Sequence, residues 1–279
     1  MTAKERDAAL AAGAFSYLVS DWVSARFNLP ASDIVDLSHE GDPAKAARLL
    51  RARWALGEQP ITNMIKLLES KGVRVFSLCE NTRTVDAFSC WRNDKPYVFL
   101  NTFSSPERSR FDSAHELAHL TLHRHGGPRQ GRLSEQEANT FASSFLMPSA
   151  DIKARIPYVR SLDQLVQAKK HWRVSVAALA YRLHKLGTIS DWQYRHLCIQ
   201  MGKRGYTDVE PNSVPREESV VWKKVLSDLW NTRVTKVDIA NELHLPPDEL
   251  ENLLFGLTSS PTPPPAMSKQ TGRPNLKLV

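Results

Sequence analysis

Apolar positions in the first part of the chain recur at helical spacing. Residues 8–29 and 43–57 follow this period, and a third helix is predicted to begin at Pro60 and to end at Gly72. The second and third predicted helices each have an apolar stripe, which is typical of helices that cover a core. We expect residues 1–57 to form a helical amino-terminal region.

After the third helix the apolar pattern changes to a period of two, which is typical of strands. Residues 73–78, 84–91 and 96–101 alternate in this way, and Asn93-Asp94 predicts a hairpin turn between the last two strands. We therefore expect a small antiparallel sheet. An edge strand of such a sheet can pair with an extended peptide, and the second or the third predicted strand is the candidate here.

The segment that follows the sheet carries the motif with the most specific chemistry. Residues 115–119 read His-Glu-Leu-Ala-His, inside an apolar stretch that predicts a helix. Two histidines four positions apart lie on one helix face, so both His115 and His119 can bind one metal ion. Glu116 can then act as the base that takes a proton from water. The alternative is a structural helix, but a glutamate between two such histidines is costly to bury without a role.

A catalytic zinc needs a third protein ligand and one open position for water. His123 lies a further turn along the same helix, too far to reach the same ion on a straight helix. His125 falls where metzincins have their third histidine, but Leu122 occupies the position of their essential glycine. A further predicted helix, residues 135–146, offers acidic ligands instead, and its apolar residues are predicted to face the core; they are Ala138, Phe141, Ala142 and Phe145.

The two motif segments resemble a known family. RSRFDSAHELAHLTLH followed by EQEANTFASSFLMP is similar to the ImmA/IrrE family of bacterial zinc metallopeptidases, and the resemblance covers most of residues 40–200. It implies a gluzincin-like site with two histidines from one helix and a glutamate from a second. The family pattern Glu-x-x-Ala-Asn/Asp implies Glu135 as the ligand and Asn139 as a hydrogen-bond partner of a ligand histidine. Glu137 is the rival ligand if the matching slips by two residues.

The predicted fold class is thus α+β, with a zincin-like (gluzincin) catalytic domain, residues 58–160, between helical amino- and carboxy-terminal regions. Apolar residues make up 42% and charged residues 24% of the 279 residues, as in ordinary globular proteins. Three cysteines without pair spacing suit a reducing cytoplasm. No segment approaches the ~20 apolar residues of a membrane span. We expect a cytoplasmic protein that does not associate with membranes.

The net charge of +7 is unevenly distributed. Residues 151–205 contain eleven lysines and arginines against three acidic residues, a net charge of +8, and the rest of the chain is nearly balanced. This basic block includes a predicted helix–turn–helix-like region, residues 161–205. We predict that it contacts DNA or an acidic partner protein, and a helical cap packed on the catalytic domain is the alternative. The candidate contact residues are Lys169, Lys170, Arg173, Arg182 and Lys185.

The carboxy-terminal part divides into a second helical region, residues 206–258, and a proline-rich tail, residues 259–279, which we predict to be disordered. A further helix–turn–helix pattern lies at residues 235–257. Its second helix begins with Asp248 and Glu249, which is poor chemistry for entering a DNA groove. We favour a structural or protein-contact role there.

The leading hypothesis is a cytoplasmic zinc endopeptidase. The resemblance implies that its substrate is a regulatory protein, typically a helix–turn–helix repressor whose cleavage switches on a stress response or a mobile element. The alternative is a zinc-stabilised DNA-binding transcriptional regulator with a vestigial peptidase site. Glu116 argues against that alternative, because a purely structural zinc site does not need it.

Overall fold

The computed structural model describes residues 3–78, 87–124, 131–254 and 256–258. These residues form twelve helices and three strands. The amino-terminal half contains α1 (Ala3–Arg26), α2 (Pro43–Arg53), α3 (Met64–Ser70), β1 (Arg74–Ser77), β2 (Phe88–Arg92), β3 (Lys95–Leu100), α4 (Pro106–Leu122) and α5 (Arg132–Leu146). The carboxy-terminal half contains α6 (Ser149–Arg155), α7 (Leu162–Trp172), α8 (Val176–Lys185), α9 (Asp191–Lys203), α10 (Val220–Asn231), α11 (Lys236–Glu242) and α12 (Pro247–Leu254).

The helix boundaries follow the local chemistry of the sequence. At the start of α4, the Ser105 side chain accepts a hydrogen bond from the Arg108 N–H, and Pro106 occupies the first turn. At the end of α3, Gly72 adopts a positive φ of +80°, and a Cβ there would lie 2.4 Å from the Ala31 carbonyl oxygen. Only glycine fits this turn.

None of the described helices is both long enough and apolar enough to cross a membrane.

The sheet has the strand order β1-β3-β2. β2 and β3 form the predicted hairpin, and Asn93 and Asp94 both adopt the positive φ that a tight two-residue turn requires. The prediction of an antiparallel sheet is wrong for the other pair, because β1 and β3 run parallel. Alternating residues identify strands but not their order in the sheet, and here β3 rather than β2 lies beside β1. Residues 79–86, where the second strand was predicted to begin, lie outside the described residues.

β3 lies at the centre of the sheet and is buried on both faces. Helix α4 packs against β2 and β3, while α3 and α12 pack against β1. On β1, the Trp222 indole of α10 donates a hydrogen bond to the Val75 carbonyl oxygen (3.1 Å). The carboxy-terminal helices therefore cover the sheet, and one continuous hydrophobic core extends through the described residues.

α4 and α5 form the most extensive helix pair of the structure. The four residues of α5 that were predicted to face inward are completely buried, which confirms that prediction; they are Ala138, Phe141, Ala142 and Phe145. On its other side α5 packs against α2, where the Arg51 guanidinium donates to the Phe145 carbonyl oxygen (2.6 Å). The two helices that carry the motifs are thus held inside the core.

A connecting segment, residues 206–219, contacts the start of α4 through buried charged side chains. Glu217 pairs with Arg110 of α4 and also accepts a hydrogen bond from the Met64 N–H at the start of α3 (2.6 Å). Val214 donates its N–H to Glu107 of α4 (2.9 Å). In a buried ion pair the two opposite charges compensate each other. These contacts fix the start of α4 relative to the rest of the fold.

The basic block contains the predicted helices, α7, α8 and α9, but two of its candidate contact residues point inward. Lys169 is fully buried and pairs with Glu107 (3.3 Å) and Glu210 (2.9 Å). Arg182 is also buried, and its Nε donates to the Met147 carbonyl oxygen (3.0 Å). The prediction that these two side chains contact a partner is wrong, because a charge count does not reveal which helix face a residue occupies.

The other three candidates differ from these two. Arg173 is half-buried, adopts a left-handed backbone conformation at the end of α7, and donates to the Thr62 carbonyl oxygen. Lys170 and Lys185 are exposed, and the Lys185 ammonium lies 5.3 Å from the centre of the Tyr181 ring. Contact of these three residues with DNA or a protein stays a prediction.

The buried pair predicts a large stability effect. Glu217→Ala removes the carboxylate and leaves the Arg110 side chain, only 1% exposed, without its counter-charge. We expect the free energy of unfolding to fall by about 3–5 kcal/mol, measured by urea unfolding. Arg53→Ala is the matched control, since Arg53 is 55% exposed in its pair with Asp33 and should cost less than about 1 kcal/mol. Equal losses of unfolding free energy in both variants would contradict the burial of the Glu217–Arg110 pair.

Candidate metal centre

Helix α4 presents its two motif histidines to an open cleft of about 970 Å³, while its opposite face is buried in the core. The Nε2 atoms of His115 and His119 lie 3.1 Å apart. This proximity follows from the helical repeat, because residues four positions apart lie one above the other on the same face. Both rings therefore direct a nitrogen to one point in the cleft.

Helix α5 brings a carboxylate to the same point. Glu135 Oε2 lies 3.2 Å from His115 Nε2, and Glu135 Oε1 lies 3.7 Å from His119 Nε2. The ligand atoms of the three residues all lie within 4.8 Å of one another. Two imidazole nitrogens and one carboxylate oxygen, with the cleft on the remaining side, are a donor set that fits a catalytic zinc ion.

His115 has a fixed hydrogen-bond partner on α5. Its Nδ1 lies 3.1 Å from the Asn139 side-chain oxygen, which can only accept a hydrogen bond. The ring proton of His115 therefore belongs on Nδ1, and the lone pair of Nε2 is left for a metal. Partners of this kind orient ligand histidines and hold them in the correct tautomer.

The two glutamates that the sequence offered as ligands have different neighbours. Glu137 does not join the two histidine Nε2 atoms; its Oε2 lies 2.9 Å from His123 Nε2 instead. Within the described residues, the group that could hold a metal consists of His115, His119 and Glu135. His125, the metzincin-like candidate, lies outside the described residues.

Both ligand histidines favour the neutral form that metal binding requires. Burial lowers the pKa of His115 below its ordinary value, although Glu135 and Asn139 act in the opposite direction. Burial, together with repulsion from His115 and His123, lowers the pKa of His119 to about 4. Because the charged imidazolium is disfavoured, a metal does not have to displace a proton from either ring at neutral pH.

Glu116 is buried at the base of the cleft, and strand β2 fixes its carboxylate. The Ser89 hydroxyl donates a hydrogen bond to Glu116 Oε2 (2.7 Å) and lies 3.2 Å from the Glu116 carbonyl oxygen. Sequence reasoning missed Ser89. Its signal is only a polar residue within a β-rich run, and that signal becomes informative once β2 is known to lie against α4.

The position of β2 also decides between the two candidate edge strands. β2 pairs with β3 on one side only within the described sheet, and Ala87, Phe88, Ser89, Cys90 and Trp91 line the cleft. The second predicted strand is therefore the edge strand beside the cleft. The third predicted strand is excluded, because β3 has neighbours on both sides.

Residues 68–184 match a protein family described as the IrrE N-terminal-like domain, Peptidase_M78. The matched stretch contains α4 and α5 and hence every residue of the metal centre. The match confirms the resemblance to the ImmA/IrrE family and supports a metallopeptidase-like function. A comparison with curated proteins found no match.

The lowered pKa of His119 predicts its titration in the zinc-free protein. We expect the ring protons of His119 to titrate with a midpoint near pH 4 in an NMR titration. In the unfolded chain the ring takes up its proton near pH ~6.5, so between these values acidification favours unfolding and the contribution of His119 to stability is lost. A midpoint near 6.5 would show that the ring is not shielded from solvent.

The donor set predicts about one zinc ion per chain, measured by elemental analysis after dialysis. His115→Ala, His119→Ala and Glu135→Ala should each lose this zinc because three protein ligands are needed. Gln136→Ala, at an exposed neighbouring position, is the matched control and should retain it. His125→Ala should also retain zinc. A Glu137→Ala protein without zinc beside a fully loaded Glu135→Ala protein would refute the assignment of the third ligand.

Proposed function

We propose that this protein is a zinc-dependent endopeptidase that cleaves a regulatory protein. One observation carries the proposal: the ligand atoms of His115, His119 and Glu135 converge beside a buried glutamate at the base of an open cleft. A structural zinc site prefers four protein ligands and has no use for a neighbouring base. An open side and an adjacent carboxylate are the features of a hydrolytic site.

The cleft suits a polypeptide substrate in extended form. The edge strand β2 forms one wall, and its unpaired side borders the cleft within the described sheet. An extended chain can add to such an edge through main-chain hydrogen bonds, which bind peptides without regard to their side chains. The scissile peptide bond would then lie over His115 and His119, which occupy the opposite wall.

The chemical step depends on Glu116. A zinc ion held by His115, His119 and Glu135 would supply a Lewis acid that polarises the scissile carbonyl group and makes water more acidic. The Glu116 carboxylate accepts a proton from the attacking water and delivers it to the leaving amine nitrogen. The Ser89 hydroxyl holds this carboxylate in place throughout, through the 2.7 Å hydrogen bond.

The resemblance to the ImmA/IrrE family supports a repressor as the substrate. In our proposal the protein acts in the cytoplasm and cleaves a helix–turn–helix repressor. This cleavage allows transcription of the genes of a stress response or a mobile element. The exposed residues Lys170 and Lys185 can contribute to binding by attracting an acidic face of that protein.

A DNA-binding regulator with a vestigial peptidase site is less well supported. Lys169 and Arg182, which contributed to the predicted DNA-binding surface, are used inside the fold. The buried Glu116 carboxylate, which accepts a hydrogen bond from Ser89, lies where a general base is needed, and a purely structural zinc site does not need such a base. A cleavage assay would therefore distinguish a peptidase from a DNA-binding regulator more directly than a DNA-binding assay.

The experiment incubates the zinc-loaded protein with each helix–turn–helix repressor encoded beside its gene, and mass spectrometry maps the fragments. Glu116→Gln should retain zinc and fold but should lose cleavage by about 10²-fold or more, because an amide cannot accept the proton from water. Thr140→Ala is the matched control on the exposed surface of α5 and should cleave normally. Undiminished cleavage by Glu116→Gln would remove Glu116 from the mechanism.

A further inference from the structure

We propose that His123 and Glu137 are positioning residues that hold His119 in the tautomer able to bind a metal. The inference rests on the metal centre of the proposed function and extends it. It concerns two side chains that lie outside the group of His115, His119 and Glu135 and that the chemical step does not use.

The three side chains form a continuous row of hydrogen bonds. His119 Nδ1 lies 2.9 Å from His123 Nδ1, and the two ring centres are 5.0 Å apart. At the other end of the row, His123 Nε2 lies 2.9 Å from Glu137 Oε2. The row begins on α4, passes through the residue that ends α4, and finishes on α5.

When both histidines are in the neutral form that metal binding requires, the carboxylate of Glu137 fixes the direction of every hydrogen bond in the row. A carboxylate can only accept, so His123 must donate its Nε2–H to Glu137. A neutral imidazole carries one ring proton, so His123 Nδ1 has a lone pair and must accept. His119 must then donate its Nδ1–H, and this leaves a lone pair on Nε2, the atom that lies beside Glu135.

The same geometry shows why His123 is not itself part of the metal group. Its two ring nitrogens are already directed at Glu137 and at the Nδ1 side of His119. The metal-facing atom of His119 is Nε2, on the other edge of the ring. His123 therefore acts through His119, from the side away from the cleft centre.

The two ligand histidines consequently have different supports. His115 donates its Nδ1–H directly to Asn139, a neutral amide. His119 donates to a second histidine that is in turn bound to a carboxylate. A carboxylate at the end of such a row fixes the tautomer, orients the ring and increases the basicity of the ligand nitrogen.

The first test measures tautomers in the zinc-free protein, by long-range proton–nitrogen NMR at neutral pH. We expect His119 in the wild type to carry its proton on Nδ1 only. In His123→Leu, which removes the acceptor, we expect a substantial population with the proton on Nε2. A wild-type His119 protonated on Nε2, or a His119 unaffected by His123→Leu, would overturn the proposal.

The second test measures zinc affinity by competition with a chelator. Glu137→Leu and His123→Leu should each weaken binding by about 10- to 100-fold. The double variant should bind zinc no more weakly than the single variant with the lower zinc affinity, because Glu137 acts only through His123. Glu137→Gln should recover most of the affinity, since its amide oxygen can still accept from His123. Gln136→Leu, at an exposed position one residue away, should leave affinity unchanged.

Two outcomes of the second test would overturn the proposal: affinities of both single variants within twofold of wild type, or losses that multiply in the double variant. Failure of the proposed function can be distinguished from failure of the positioning role. If the wild-type protein bound no zinc, the metal centre would be wrong, while the tautomer measurement would still decide the role of His123. If zinc bound normally and the tautomer did not depend on His123, only the positioning role would fail.

Discussion

The close packing of α4 against α5 is the constraint on which the site depends. Both helices carry fully buried alanines, Ala114 and Ala118 on one and Ala138 and Ala142 on the other, and small side chains of this kind allow packed helices to approach closely. One helix supplies two imidazoles and the other supplies the carboxylate. A shift of about an ångström between them would separate donors that must bind one small ion, because metal geometries tolerate only ~0.2 Å.

The surrounding polar groups preserve this arrangement at several points. Asn139 of α5 supports His115, and Ser89 of β2 supports Glu116, so these two side chains of α4 are held by two different elements. The first turn of α4 is fixed by buried ion pairs, of which Lys169 with Glu107 reaches into the basic block. The basic block therefore contributes a buried charge that stabilises α4.

The sequence predicted the parts of this molecule that depend on local spacing. The histidines four positions apart, the inward face of α5 and the Asn93-Asp94 turn follow from helical or strand geometry alone. Strand order, the burial of Lys169 and the contact of Ser89 with Glu116 could not be predicted. Each depends on which distant segments pack together, and apolar periodicity and charge counts carry no information about that.

We propose that His115, His119 and Glu135 form the protein part of a zinc site, and anomalous diffraction at the zinc edge from crystals of the zinc-loaded protein can locate the ion. We expect one strong peak, about 2.0–2.1 Å from the Nε2 atoms of His115 and His119 and about 2.0–2.2 Å from a Glu135 oxygen. A peak bound by His123 or Glu137 in place of Glu135, or no peak between α4 and α5, would contradict it.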